Sequence, residues 1–239
     1  MVFSNTTTLA GVIQTFERLT DSGYAYVTGD TTRMKEATNL ANLKGSDIWH
    51  IIHLATGNWK YDDSNYTDLP FATTDLISGQ VRYALPEEAL TVQRLEIKDT
   101  SGNWTRLTPL TKEIIPGAVD KFQDVNSTPI YYTLLNGVIT LYPATNYNAT
   151  DGLKIYYDRD SVEFLTTDTT KTPGFASPYH EILPIMMAME WYNVKQATHP
   201  TLVKLEQKFL RLEKELKEFY SKRFQDYKPR VGRARESFK

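Results

Sequence analysis

The stretch "YYTLLNGVITLYP", residues 131–143, decides the fold. Asn136-Gly137 suits a type I′ turn, because both residues tolerate positive φ. Two short runs rich in β-branched and aromatic residues flank the turn, as in a tight antiparallel hairpin. The turn sets the register: Leu135 opposite Val138, Leu134 opposite Ile139, Thr133 opposite Thr140, Tyr132 opposite Leu141, Tyr131 opposite Tyr142. One face then carries Ile130, Tyr132, Leu134, Ile139 and Leu141. The other carries Tyr131, Leu135, Val138 and Tyr142. A half-exposed sheet is polar on one side, and this hairpin is apolar or aromatic on both. Tyr131, Leu135, Val138 and Tyr142 are therefore read as a subunit interface.

Outward from the hairpin, the segment from Trp59 to about 165 has the texture of short strands. They are "FATTD" (71–75), "GQVRYAL" (79–85), "LTVQRLEIKD" (90–99), "WTRLTPL" (104–110) and "LKIYYDRD" (153–160). Turn signals separate them: Leu85-Pro86, Asp99 to Asn103, and Asp151-Gly152. Several strands at this spacing argue for an antiparallel sandwich.

Helical patterns lie on either side. In "TLAGVIQTFERLT" (8–20), Leu9, Val12, Ile13, Phe16 and Leu19 recur at three- and four-residue spacing. A second helix is expected from Thr31 to Thr56, with Gly57 as its stop and Gly45 as a candidate bend. After Ser177-Pro178, residues 179–197 are apolar nearly all round and read as a buried central helix, which Pro184 kinks or delays by a turn. In the last helix, about 200–225, Leu202, Leu205, Phe209, Leu212, Leu216 and Phe219 alternate 3-4-3-4-3, and packing against the first two helices is expected. Residues 226–239, "DYKPRVGRARESFK", show no periodicity and read as an extended basic tail. The expected fold class is α+β: a helical bundle formed by N- and C-terminal helices, with an inserted antiparallel β-sandwich lobe. The expected divisions are 1–58, 59–170, 171–225 and 226–239.

Composition narrows the function. Of 239 residues, 41% are hydrophobic and 23% charged, and none is cysteine. Disulfide scaffolds, thiolate nucleophiles and cysteine metal sites are thereby excluded. The longest nearly apolar run, "ILPIMMAM" (182–189), is too short to span a bilayer, and "MVFSNTTTLAG" has no secretion-signal pattern. Five N-x-[ST] sequons, at Asn5, Asn65, Asn103, Asn126 and Asn148, reflect an Asn- and Thr-rich chain. The net charge of −2 conceals a split: residues 1–199 hold 15 Lys and Arg against 23 Asp and Glu, and residues 200–239 hold 12 against 6. A body and an arm with different partners are implied.

Catalytic signatures are absent: there is no phosphate loop, dinucleotide fingerprint or nucleophile elbow. His50 and His53 lie three apart, but no third metal ligand accompanies them. "DDSNYTD" (62–68) has the oxygen-rich character of a calcium loop without its glycine and glutamate. Asp62 with Asp63, or Asp158 with Asp160, is a candidate carboxylate pair with no spacing to support glycosidase geometry. No enzyme activity, metal or cofactor is expected.

The order of motifs carries a family resemblance. "NWKYDDSNYTDLP" followed by "LISGQVRYALPEEALTVQRLEIKDTSGNWTRLTPL" resembles the front half of head-to-tail connector (adaptor) proteins of tailed bacteriophages, including tail tubular protein A-like relatives. "STPIYYTLLNGVITLYPATNYNATDGLKIYYDRD" resembles their second half, and "PGFASPYHEILPIMMAMEWY" with a charged terminal helix completes the pattern. The resemblance implies a ring of identical subunits, twelve to match the portal, lying between portal and tail in the virion neck. Assembly in the host cytoplasm and a channel for DNA passage go with it. It also implies that the C-terminal segment reaches the portal, a role that falls on Lys228, Arg230, Arg233, Arg235 and Phe238. A downstream tail or nozzle protein is the other partner, DNA passes without specific binding, and no membrane is involved. An acidic body suits a channel that DNA must traverse without sticking. Two rivals stand beside this reading: a glycan-binding or glycan-degrading sandwich using Trp59, Trp104 and the tyrosines, and a nucleic-acid binder using the arm.

Overall fold

A computed structural model describes residues 1–56, 61–110 and 127–222. The chain divides into two compact units. One comprises the described residues of Met1–Tyr61 and of Glu163–Lys239, the other those of Asp62–Val162. The α+β class with an inserted sheet lobe is what the structure has.

In the helical unit, α1 spans Val12–Leu19 and α2 spans Thr31–Ala55. The first helix starts four residues later than its periodicity implies. Asn5 Oδ1 accepts the backbone N–H groups of Thr7 and Thr8, and Leu9 takes a positive φ of 56°, so residues 5–9 turn before the helix begins. Residues 2 and 3 run beside α1, and Phe3 is buried with its ring stacked 4.3 Å from that of Phe164. At the start of α2, the Asp30 carboxylate accepts from Thr32 N and Arg33 N at 2.8 and 2.9 Å, an N-cap that lowers its pKa. The helix runs unbroken through Gly45.

Two further helices complete this unit: α3, Ile182–Lys195, and α4, Pro200–Lys222. Pro184 delays α3, which begins at Ile182 behind a short 3-10 turn at Ser177–Tyr179. As its all-round apolar pattern requires, α3 is central and packs on α1, α2 and α4. The seam of α4 departs from the expected one at its end. Leu202, Leu205, Leu212 and Leu216 are buried, and the next buried side chain is Tyr220, with Phe219 at the surface. A straight helix drifts about 20° per heptad from a 3.5-residue repeat. By the third heptad the inward position has moved from 219 to 220.

The β unit contains eight described strands: β1 Phe71–Leu76, β2 Arg82–Ala84, β3 Ala89–Lys98, β4 Trp104–Arg106, β5 Thr108–Pro109, β6 Tyr131–Leu135, β7 Val138–Tyr142 and β8 Ala149–Arg159. They form two four-stranded sheets, ordered β1-β8-β3-β4 and β2-β7-β6-β5. Leu76, Leu95, Ile97, Leu153 and Ile155 from the first sheet and Tyr83, Tyr132, Ile139 and Leu141 from the second share one core. Each such aliphatic burial contributes about 1.5–3 kcal/mol.

Two features were not legible as single elements. "WTRLTPL" divides at buried Leu107: β4 pairs antiparallel with β3, and β5 pairs parallel with β6 in the other sheet. Asp151-Gly152 does not end a strand. It lies within β8, where the register against β1 slips and Asp151 adopts a φ of 49°.

Candidate functional site

The hairpin folds in the register its turn requires, from Tyr131–Tyr142 to Leu135–Val138. Asn136 and Gly137 both have positive φ, 49° and 73°. Tyr132, Ile139 and Leu141 point into the sandwich core, which leaves Tyr131, Leu135, Val138 and Tyr142 on the outer face. These four differ in access. Leu135 is 71% exposed, Tyr131 and Val138 are half-buried, and Tyr142 is only 8% exposed. Thr133 donates its hydroxyl toward the Tyr142 hydroxyl at 3.4 Å. The open part of this face is its turn end, where Leu135, Val138 and Ala84 adjoin.

The other sheet presents a different outer face. Strand pairing places Phe71 beside Tyr156, Tyr156 beside Arg94, Lys154 beside Glu96, Glu96 beside Arg106, and Lys98 beside Trp104. The Lys154 ammonium lies 4.0 Å from the centroid of the Trp104 ring, 5.5 Å from that of Phe71 and 6.0 Å from that of Tyr156. Trp104, proposed as a sugar platform by the glycan reading, thus carries a lysine on its ring; Trp59 lies outside the described residues. No single segment announces this face, because its members come from four strands. The alternations Arg94-Glu96-Lys98 and Trp104-Arg106 are the local traces it leaves.

The loop read as calcium-like closes around an arginine instead. Arg159 ends β8 and is 3% exposed. Its Nε and one terminal nitrogen donate to the two Asp62 oxygens, each at 2.9 Å. The guanidinium also reaches the Asp68 carboxylate at 3.3 Å and the Asp68 carbonyl, and it lies 3.5 Å over the Tyr66 ring. The hydrogen bond and charge of Asp62 raise the Arg159 pKa. Asp63 is buried and accepts from Asn65 N, Asn65 Nδ2 and Val162 N at 2.8, 2.7 and 3.1 Å. Both carboxylates are thus committed to structure. Asp158 accepts from the Gln93 amide, and Asp160 from Ser161 N. These proposed pairs serve the fold. On β8 itself, two residues before Arg159, Tyr157 donates to Glu88 Oε1 at 2.8 Å. Burial and that bond push the Tyr157 pKa up to about 12, and the same bond lowers that of Glu88.

In the helical unit, His53 packs between Trp49 and Tyr61, at ring separations of 4.0 and 5.9 Å. Among the described residues no group of three His, Cys, Asp or Glu could hold a metal. His180 is buried, its Nε2 2.7 Å from the Phe175 carbonyl, and burial lowers its pKa. A groove of about 510 Å³ opens between α1, α2 and α3, floored by Phe16, Ala37, Leu40 and Trp191. No helix among the described residues is long and apolar enough to cross a membrane. Lys228, Arg230, Arg233, Arg235 and Phe238 lie outside the described residues.

A family model described as SU10 adaptor protein matches residues 7–232, nearly the whole chain. No curated protein matches it.

Proposed function

This chain belongs to the SU10 adaptor protein family, and we propose that identical copies of it form a ring between the portal and the tail of a bacteriophage. As a phage adaptor it is a structural protein of the virion neck that associates with head and tail proteins. The finer reading is ours: twelve copies matching the portal, a channel through which DNA passes without specific binding, a tail or nozzle protein below, and assembly in the host cytoplasm. The observation that carries it is the family match from residue 7 to residue 232.

The parts have assigned roles in this reading. The helical segments 1–58 and 171–225 face the portal, and the groove floored by Phe16 and Trp191 offers an apolar socket there. The lobe 59–170 builds the ring, with Tyr131, Leu135, Val138 and Tyr142 on the side that meets the next copy. Residues 226–239 form the arm, where Lys228, Arg230, Arg233 and Arg235 meet an acidic portal surface and Phe238 is the apolar anchor. A protruding Leu135 beside Val138 and Ala84 supports the subunit contact, since a solvent-facing sheet is ordinarily polar.

Electron microscopy of the purified chain mixed with its portal tests the proposal. Full-length protein is expected to add a ring to the portal. A chain truncated after Gln225 is expected to keep its circular dichroism spectrum and remain unattached. Portals left bare by the full-length chain would overturn the ring. Equal attachment of the truncated chain would remove the arm from the contact.

A further inference from the structure

The outer faces of the two sheets lie on opposite sides of the core they share, and they differ in chemistry. On the β2-β7-β6 side, apolar, aromatic and threonine side chains surround a single charge among the described residues, the exposed Arg82. On the β1-β8-β3-β4 side, charge is balanced. Glu96 pairs with Arg94 and lies opposite Lys154 and Arg106. Lys98 with Asp75, Asp151 and Asp158 completes four cations against four carboxylates. Asp75 accepts from Asp151 N at 2.8 Å, and Asp151 accepts from the Thr73 hydroxyl at 2.7 Å. That corner is held by N–H and O–H donors rather than by a cation. Four residues along β1, Phe71 is 37% exposed beside Tyr156.

We infer that these two faces meet in the ring, the β2-β7-β6 face of one copy covering the β1-β8-β3-β4 face of the next. The inference rests on the ring proposed above and names the surface that receives the hairpin. Identical copies close a ring through a heterologous contact, which needs two different patches on each copy. A charge with its partner on the same surface can be covered by an uncharged neighbour without being stranded, whereas a lone charge cannot. The balanced face therefore accepts the nearly uncharged one, and Arg82 finds its counter-charge in Asp75 and Asp151 of the next copy. Apolar contact comes from Leu135, 71% exposed, against Phe71 and Tyr156. The order along the strands agrees. Leu135 and Ala84 lie at the end of the sandwich nearest Arg159, as do Phe71 and Tyr156. Arg82 lies toward the other end, as do Asp75 and Asp151.

The chain has no cysteine, so introduced pairs can be linked cleanly. Leu135→Cys is combined with Phe71→Cys, or with Thr73→Cys, assembled on the portal and treated with a short bis-maleimide. Each double variant should give a ladder of linked copies beyond the dimer on a denaturing gel, and each single variant monomers. In a second arm, Arg82→Asp should reduce ring assembly about tenfold, and adding Asp75→Arg should restore it, with circular dichroism verifying both folds. Complete rings with no ladder from either double variant would overturn the inference and leave the ring standing. So would linked dimers from Leu135→Cys alone, which would set hairpin against hairpin, or a loss in Arg82→Asp that Asp75→Arg does not rescue. Portals left bare by the unsubstituted chain would remove the ring and this contact with it.

Discussion

Arg159 and Asp62 meet in a two-pronged ion pair with both donor–acceptor distances at 2.9 Å, between residues 97 positions apart in the chain. The pair sits where the chain enters and leaves the β unit. Around it, Tyr66 covers the guanidinium and Val162 N–H donates to Asp63. Arg159 is buried, but the Asp62 and Asp68 side chains beside it reach solvent, so removing the guanidinium costs its hydrogen bonds and its packing rather than a stranded buried charge.

Arg159→Ala should therefore destabilise the protein by about 2 kcal/mol, read from the urea midpoint. Arg159→Lys retains the charge but loses the planar fork and its stacking on Tyr66, so it should fall between wild type and alanine. A lysine variant as stable as wild type would show that charge alone holds the loop.

The seam of α4 predicts an asymmetry between adjacent aromatics. Tyr220 is buried and its hydroxyl accepts from Ala176 N–H at 2.9 Å, whereas Phe219 packs on Tyr179 at the surface. Tyr220→Ala should cost about 3–5 kcal/mol, and Phe219→Ala about 1 kcal/mol or less. Thermal unfolding of the two variants checks this, and equal losses would place both rings in the core.

His180 gives the protein an acid-sensitive element. Its folded pKa lies below the ordinary 6.5 because burial disfavours the imidazolium. The unfolded chain then binds the proton first, so stability is full above pH 6.5 and declines as the pH falls through the window below it. His180→Gln keeps an N–H that can donate to the Phe175 carbonyl but does not titrate. Its urea midpoint should vary less with pH between pH 4.5 and 6.5 than wild type does. Parallel curves would exclude His180 as the source.

At the turn end of the hairpin, Leu135 contributes little to its own fold because it is largely exposed. Leu135→Asp should change monomer stability by no more than about 0.5 kcal/mol and abolish assembly of copies, measured by analytical ultracentrifugation with portal present. Assembly at the wild-type level would move the subunit contact elsewhere.

The sequence by itself determined what depends on neighbours in the chain. Asn136-Gly137 dictated the hairpin and its register, because a two-residue type I′ turn permits only one pairing. Pro184 held back α3, and helical and strand periods ordered the elements correctly. Nearest-neighbour sterics and capping hydrogen bonds act over a few residues, so they leave a local trace. Tertiary structure decided the rest. Leu107 splits one apparent strand between two sheets because its side chain enters the shared core. Tyr220 replaces Phe219 because the drift of a straight helix accumulates over its whole length. The Asp62–Arg159 clasp and the Trp104–Lys154 contact join segments 50 or more residues apart, and the loop-closure entropy and core packing that bring such segments together carry no short-range signature. The surfaces proposed to act lie in that second class.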